Sequence, residues 1–295
     1  MNSNIGIIGA GELGRALGQA FAHAGVQPLY YDKDETRSTV ATIDEIVKNC
    51  QVILLCVPSW ANKTVAQQIA KAAPPDTSRL VLTFSKGVEH GFVTMDQVLA
   101  EHLPQHYNYG LVYGPMLAEE IAAERQGAGV FAGSAPDSYN SVRELFAKAH
   151  ISLEQASDMH SIAVCGVLKN VYAIAFGMND GMHLGDNMKG KLVVLVLREL
   201  KQMLSTLQLD AQAAEGLAGL GDLLTAGLGE ASFNYRVGKT IAEGIAGAKV
   251  KSEGLVALQE LGRVVDIKHF PVAATLDQTV FHYAPCTRLK DLLGA

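Results

Sequence analysis

Short apolar runs alternate with amphipathic stretches over the first half of the chain. The apolar runs are rich in β-branched residues, a pattern that predicts strands buried in a sheet. They are the run that begins at Asn4, Pro28–Tyr31, Val52–Val57, Leu80–Phe84, Tyr107–Val112, Gly129–Ala132 and Ile151–Glu154. Strands that alternate with helices favour an α/β fold with a mostly parallel, doubly wound sheet.

The pattern changes at Met159, where the strand signals fade and helical periodicity takes over. Long helical patterns cover Met159–Met178, Asn187–Gln208 and Ser252–Leu261. Ser157 or Asp158 is suited to cap the first of these helices. We therefore predict a domain boundary there, with residues 1–158 forming the sheet and residues 159–295 forming an all-helical domain.

The first predicted strand runs directly into a glycine-rich turn, G-A-G-E-L-G, and then into a helix. In such a turn Gly9 allows the tight bend, Gly11 lets the backbone approach phosphates, and Gly14 lets helix and strand pack closely. The helix N-terminus adds N–H donors and partial positive charge. We interpret the turn as a pyrophosphate site that includes Glu12 and Leu13, against the alternative of an ordinary Gly-rich turn.

The second predicted strand ends at Asp32, at about the offset where a carboxylate meets a ribose diol. Residues 1–158 are therefore predicted to be a Rossmann-type dinucleotide-binding domain. Asp32 favours NADH over NADPH, although the neighbouring cations Lys33 and Arg37 weaken that preference. Since ligands bind at the carboxyl ends of such strands, the helical domain is expected to supply the substrate groups.

Composition narrows the class of partner. The chain has 295 residues, 48% of them hydrophobic, and a net charge of −6, which argues against nucleic acid and against an anionic membrane surface. The first predicted strand begins too close to Met1 for a signal peptide to be expected, and the apolar run Leu192–Leu197 is too short to span a bilayer. We expect a cytoplasmic protein with a small-molecule partner and no membrane insertion. A homodimer is expected from base rates.

The cysteines indicate no covalent or metal framework. The four cysteines lack Cys-x-x-Cys spacing and lie in apolar surroundings, so buried, reduced thiols are expected instead of disulfides or a metal site.

Lys169 and Asn170 lie in the middle of a helix that is apolar on nearly every face. A buried ammonium costs several kcal/mol unless it is partnered or neutralised. Its pKa also falls, which suits a proton donor at neutral pH. The alternative is a structural lysine that reaches the surface or pairs with an acid.

Three further side chains are candidates for chemistry. Lys86 follows a predicted strand end, where α/β sites place catalytic groups, although a lone loop lysine is more often solvated. Asp222 is an acid in a Gly-rich apolar segment, and the alternative role is a helix cap. Asn234 either orients a substrate hydroxyl or occupies a turn.

Motifs at these positions resemble those of the NAD-dependent glycerol-3-phosphate dehydrogenases, nearly end to end. In order, they are V-P-S at Pro58, S-K-G-V-E at Lys86, G-P-M-L-A-E-E at Gly114–Glu120, G-V-L-K-N-V at Gly166–Val171, G-D-N-M-K at Gly185–Lys189, G-L-A-G-L-G-D-L at Gly216–Leu223, S-F-N-Y-R at Ser232–Arg236 and S-E-G at Ser252–Gly254.

The resemblance implies roles for residues of both halves. Lys169 would be the catalytic lysine, and other residues would surround the carbonyl and hydroxyls of dihydroxyacetone phosphate: Lys86, Asn170, Asp222, Thr225 and Asn234. Glu253 would lie near the NAD cofactor, as would Pro58. The residue chemistry agrees, since two lysines near one carbonyl lower each other's pKa while Asp222 holds one in place.

The chain departs from the family pattern at three places. Phe233 stands where the family has an arginine that binds the substrate phosphate, and Val194 and Leu195 replace another arginine. The connection from Asp32 to the next strand is also short. Losing a guanidinium removes a bidentate anion clamp, for which Arg236 or Lys189 would have to compensate.

The sequence therefore predicts an oxidoreductase that moves a hydride between NAD(H) and glycerol 3-phosphate/dihydroxyacetone phosphate. One alternative is the same machinery acting on another hydroxy-substrate, such as a carboxylate or a carrier-bound acyl group. A second alternative is a dinucleotide-binding sensor without turnover, which the presence of Lys86, Lys169 and Asp222 disfavours.

Overall fold

The computed structural model describes residues 5–244 and 251–295. The chain forms two compact units, and each is composed of two chain segments. The first unit comprises Met1–Ser85 and Met95–Met159, and the second comprises Lys86–Thr94 and His160–Ala295.

The first unit is built on a seven-stranded sheet. Strand bounds along the described chain are β1 (Ile5–Ile8), β2 (Leu29–Tyr31), β3 (Val52–Leu55), β4 (Leu80–Thr83), β5 (Val88–Glu89), β6 (Val93–Thr94), β7 (Asn108–Tyr113), β8 (Gly127–Gly133) and β9 (Ile151–Gln155). The sheet has the order β2-β1-β3-β4-β7-β8-β9, and β5 and β6 form a separate hairpin. Neighbours are parallel except for the antiparallel pair β7 and β8.

Helices follow most strands of the first unit and dominate the second. Their bounds are α1 (Glu12–His23), α2 (Ile43–Asn49), α3 (Asn62–Ala72), α4 (Met95–His102), α5 (Ala118–Ala122), α6 (Tyr139–Lys148), α7 (Met159–Gly181), α8 (Gly185–Thr206), α9 (Phe233–Ala242), α10 (Glu253–Leu261), α11 (Pro271–Phe281) and α12 (Thr287–Leu293).

Both faces of the sheet are covered. Side chains of successive strand residues point to opposite faces, so Ile7 belongs to a core with Phe21 of α1, while Ile8 belongs to a second core with Ile46 of α2. Burial on both faces is the physical reason that the strands read as continuous apolar runs instead of alternating ones.

Helix α7 is the centre of the second unit. It is long and apolar enough to cross a membrane, but its most apolar window is entirely buried within the protein, as in a core helix.

The buried Glu199 of α8 connects that helix to α7 and α11. Its carboxylate accepts hydrogen bonds from Tyr172 of α7 and from the N–H groups of Val272 and Ala273 at the start of α11. The carboxylate thereby satisfies buried N–H groups of that helix N-terminus, which have no partner within the helix.

The predicted fold class is confirmed, and every predicted strand of the sheet forms with ends shifted by a few residues. Asn4, where the first predicted run begins, lies outside the described residues. Helices α7, α8 and α10 also form where periodicity placed them. The hairpin of β5 and β6 was not predicted. All four cysteines are free thiols; Cys50 and Cys165 are buried as predicted, whereas Cys56 and Cys286 are only partly buried.

The domain boundaries at residues 1–158 and 159–295 stay a prediction. The compact units differ from them in one segment, Lys86–Thr94, which belongs with the helical unit. A contact within that unit explains the difference, because the N–H of Gly91 donates to the Glu260 carboxylate of α10 at 2.7 Å.

Candidate active site

The glycine turn after β1 has the geometry that its sequence predicts. Gly9 has a φ of +98°, and a Cβ there would lie 2.7 Å from the Cys56 carbonyl. A Cβ on Gly14 would lie 2.0 Å from the Gly9 carbonyl oxygen, so helix α1 can pack this closely only on a glycine. A Cβ on Gly11 would project into open space. Gly11 also has no side chain to cap α1, which leaves the helix N–H groups available to an anion.

A cavity of about 380 Å³ opens at the carboxyl ends of β1, β2 and β3. Predicted cofactor residues that line it are Gly9, Gly11, Asp32 and Pro58. Of the remaining predicted cofactor residues in this unit, Glu12 is exposed, Leu13 packs against the core and Gly14 is the close helix contact. The cavity is also lined by residues that were not predicted from the sequence, including Trp60, Thr64 and Gln68.

Asp32 fixes the glycine turn as well as lining the cavity. One carboxylate oxygen accepts the Ala10 N–H at 2.6 Å, and the other accepts the Asp34 N–H at 2.9 Å. A carboxylate has about four acceptor sites, so these two bonds leave capacity for hydroxyl donors. Open space at Gly11, free N–H donors and this carboxylate fit a pyrophosphate joined to a ribose diol.

The second unit holds a lysine–aspartate–lysine cluster. One oxygen of Asp222 lies 2.5 Å from the Lys86 ammonium and 3.3 Å from the Lys169 ammonium. The Asp222 side chain is only 2% exposed, and Lys169 is buried as well. Lys169 is therefore not a lysine that reaches solvent, and the carboxylate is its ion-pair partner. Two ammonium groups thus share one buried carboxylate, whose single negative charge balances only one of them.

Burial is the largest influence on the Lys169 ammonium and lowers its pKa. The carboxylates of Asp222 and Glu253 raise the pKa again, and the positive charge of Lys86 lowers it. The net shift is downward. An ammonium with a lowered pKa gives up its proton more readily, which is the property that a proton donor needs.

Local backbone structure explains how these groups meet. The Asn170 side chain donates to the Lys86 carbonyl oxygen at 2.9 Å, so the residue after Lys169 holds the loop that carries Lys86. Asp222 lies between two π-helical segments, Leu217–Gly221 and Leu223–Gly227. Such turns are uncommon and recur at functional sites.

The other predicted substrate residues lie in the same unit but make different contacts. The Thr225 hydroxyl donates to the Gly221 carbonyl oxygen at 3.0 Å. The Asn234 side-chain oxygen accepts the Gly254 N–H at 3.0 Å, next to Glu253 at the start of α10. Glu253 acts on Lys169 through its charge. The described contacts thus bring Lys86, Lys169, Asn170 and Asp222 together directly, whereas Thr225 and Asn234 contact backbone.

Phe233 is exposed at the first position of α9, where the resemblance led us to expect an arginine. The Arg236 guanidinium lies over its ring at 5.6 Å and donates to the Glu230 carbonyl oxygen. Lys189, the other cation considered for the phosphate, is bound to Asp180 at 2.6 Å. Arg236 is thus the better placed of the two, one helical turn from Phe233 on an exposed face.

Within the described residues, no group of three or more His, Cys, Asp or Glu side chains is arranged to hold a metal ion.

A Rossmann-type sheet with a cavity at the carboxyl ends of its strands and a helical unit with a buried lysine cluster are typical of one class, the nicotinamide-dinucleotide-linked oxidoreductases that act on a CH–OH group. Family models identify the member of that class. The N-terminal model of NAD-dependent glycerol-3-phosphate dehydrogenase matches residues 34–138, and the C-terminal model matches residues 158–290. The chain belongs to the NAD-dependent glycerol-3-phosphate dehydrogenase family.

Individual relatives agree with this assignment. Glycerol-3-phosphate dehydrogenase [NAD(P)+] of Chlorobium chlorochromatii is 30% identical over 86% of this chain and 80% of that protein. The enzyme of the same name from Desulfotalea psychrophila is 25% identical over 100% of this chain and 97% of that protein. The crystal structure of glycerol-3-phosphate dehydrogenase from Coxiella burnetii shares the fold, with a TM-score of 0.89 at 22% identity over the full length of both chains. The predicted family is thus confirmed.

Proposed function

We propose that this protein interconverts glycerol 3-phosphate and dihydroxyacetone phosphate with NAD(H). The observation that carries the proposal is the buried Asp222 carboxylate between the ammonium groups of Lys86 and Lys169. A small ketone bound there would meet a proton donor and a second cation, which is what reduction of a carbonyl requires. NAD(H), when bound, supplies or accepts the hydride.

Lys169 donates the proton to the carbonyl oxygen in the reducing direction and accepts it from the alcohol in the oxidising direction. Its lowered pKa makes the ammonium a better proton donor in the reducing direction, and the neutral amine accepts the proton in the oxidising direction. Burial keeps water from competing for the proton.

Lys86 stabilises the negative charge that develops on the same oxygen. Asp222 fixes both ammonium groups, and Asn170 fixes the Lys86 loop through its carbonyl. Asp222 and Asn170 thereby preorganise the cations before substrate arrives. Preorganised charge makes the largest single contribution to transition-state stabilisation in many enzymes.

Thr225 and Asn234 are proposed to bind the substrate hydroxyls. Both side chains retain hydrogen-bonding capacity beyond the backbone bonds described above. Glu253 is proposed to contact the cofactor, and the glycine turn with Asp32 and Pro58 is proposed to hold its adenosine and pyrophosphate.

The most direct test is a substrate panel with purified protein. NADH oxidation is expected with dihydroxyacetone phosphate, and the panel includes dihydroxyacetone, short 2-keto acids and a carrier-linked 3-ketoacyl compound. A larger kcat/KM for any of these compounds than for dihydroxyacetone phosphate would show that the enzyme acts on another hydroxy-substrate. NADH binding without turnover of any compound would show a sensor.

NADH is expected to be used with higher kcat/KM than NADPH. Asp32 accepts hydrogen bonds from a ribose diol and repels a 2′-phosphate. Asp32→Ala should narrow the difference, measured as the ratio of kcat/KM values for the two cofactors. Asp44→Ala, which removes an exposed carboxylate of α2, is the matched control and should leave the ratio unchanged. Equal use of both cofactors by the wild type would contradict the assignment.

Phe233 predicts weak recognition of the phosphate. Loss of a charged clamp typically costs a few kcal/mol, roughly a hundredfold in affinity. We expect a KM for dihydroxyacetone phosphate near or above about 1 mM, at the upper end of the usual range. Phe233→Arg should lower this KM about tenfold or more with little change in kcat, because the added contact serves binding.

Two further variants separate charge from shape at this position. Phe233→Leu removes the ring and adds no charge, so it should leave the KM high. A wild-type KM in the low micromolar range would overturn the prediction. If Arg236→Ala then raised that KM, the Arg236 guanidinium would be the phosphate ligand.

A cytoplasmic location and a homodimer complete the proposal. The negative net charge and the burial of helix α7 support a protein free in the cytosol. The dimer is supported by the frequency of twofold assemblies among soluble proteins. Light scattering of the purified protein measures its mass directly.

A further inference from the structure

Trp60 is the one tryptophan of the sequence, and it is 69% exposed. It lies in the 3₁₀ turn Ser59–Ala61, directly after Pro58 and before helix α3. An exposed indole leaves a large apolar face in solvent, where it is available to a ligand.

The turn that carries Trp60 is firmly held. Asn62 is fully buried, and its side chain donates to the carbonyl oxygens of Pro58 and Ser59 and to the Ser85 hydroxyl. The Thr83 hydroxyl in turn donates to Asn62 at 2.9 Å. The backbone on either side of Trp60 is therefore fixed by buried hydrogen bonds while the indole extends outward.

Trp60 lines the same cavity as Asp32. The ammonium of Lys33, the residue after Asp32, lies 5.6 Å from the centre of the indole ring. This cation–π contact shows that a face of the ring is accessible to a group approaching from the Asp32 loop. A flat purine base can stack on the same face.

We propose that the Trp60 indole is the stacking surface for the adenine base of the dinucleotide. The inference rests on the proposed function, in which Asp32 binds the adenosine ribose. The base is attached to that ribose, so it has to lie beside Asp32, where Trp60 forms the cavity wall. Stacking of a base on an aromatic side chain is recognition by shape and π-contact, which requires no hydrogen bond from the ring.

Fluorescence provides a direct test, because indole emission from this chain reports on Trp60 alone. Titration of the wild-type protein with ADP-ribose or NADH should change the emission saturably. Nicotinamide mononucleotide, which lacks the adenosine half, should not change the emission.

Calorimetry of NADH binding should give a Kd about tenfold or more higher for Trp60→Ala, and a Kd close to wild type for Trp60→Phe.

Tyr283→Ala is the matched control. It also removes a highly exposed aromatic ring, but one that belongs to the second unit, and it should leave the Kd for NADH unchanged. Circular dichroism and thermal unfolding verify that each variant is folded. An unchanged Kd for Trp60→Ala, or saturable NADH binding without any change in emission, would overturn the proposal.

The outcomes also separate this inference from the proposed function. Saturable NADH binding with the expected Trp60 effects, but no reduction of dihydroxyacetone phosphate, would leave the adenine site standing and remove the enzymatic proposal. Normal turnover with an unchanged Kd in Trp60→Ala would remove the adenine site and leave the enzymatic proposal standing. Absence of any NADH binding would overturn both.

Discussion

Replacement of Lys169 by alanine is expected to lower kcat for dihydroxyacetone phosphate reduction by about a thousandfold, within the range for removal of a general acid. The ammonium is buried beside Asp222, and among the described residues no other cation but Lys86 pairs with that carboxylate. Lys86 stabilises charge but remains tied to Asp222 at 2.5 Å, so it replaces the lost proton donor poorly. Single-turnover measurements with saturating NADH would report the chemical step.

NADH binding should persist in Lys169→Ala, because the proposed dinucleotide site belongs to the first unit and Lys169 to the second. Lys201→Ala makes the same change at an exposed position of α8 and should retain wild-type kcat. If Lys169→Ala unfolds and its folded fraction turns over at the wild-type rate, Lys169 is structural and the mechanism is wrong.

Asp222→Asn is expected to lower kcat by about a hundredfold and to change its pH dependence. The Asp222 charge raises the pKa of Lys169 against the effect of burial. Without this charge, the pKa of Lys169 falls further, and the protonated form is lost at lower pH. The alkaline limb of the reduction profile should therefore move to lower pH. The oxidation profile, which needs unprotonated Lys169, should extend to lower pH by the same reasoning.

Stability has to be measured alongside the pH profiles, since breaking a buried ion pair typically costs about 3–5 kcal/mol. Urea unfolding of Asp222→Asn gives that cost, and asparagine preserves the size of the side chain. Asp186→Asn removes a fully exposed carboxylate of α8 and is the matched control. A pH profile identical to wild type, in a folded protein, would show that Asp222 does not set the protonation of Lys169.

The sheet was predictable because both of its faces are buried. Burial on both sides produced continuous apolar runs such as those of β1 and β3, and the turn residues between them supplied the boundaries. Helix α7 was predictable for a related reason, since a helix that is apolar on nearly every face has to lie in a core.

The hairpin of β5 and β6 was not predictable in this way. Each strand has two residues, too few to show a period, and the hairpin is fixed by the distant Glu260. The π-helical segments around Asp222 have no recognised sequence signal either.

At the candidate site, sequence chemistry identified Lys169 by its apolar surroundings and Asp222 by its isolation as an acid. The family resemblance supplied Asn170, but its bond to the Lys86 carbonyl emerged only from the structure. Trp60 was not predicted as a site residue, because a single aromatic residue after a strand is common in protein sequences. Its exposure and its place in the cavity wall exist only in three dimensions.

The discontinuity of the second unit limits how the protein can be dissected. Its compact body includes Lys86–Thr94, a segment that enters from the first unit and returns to it. A fragment starting near residue 159 would lack Lys86 and leave Glu260 without its Gly91 donor. Severing the chain between the two halves would therefore not yield a self-sufficient catalytic fragment. Grafting or shuffling this helical body onto another cofactor-binding scaffold requires two chain segments to be transferred together.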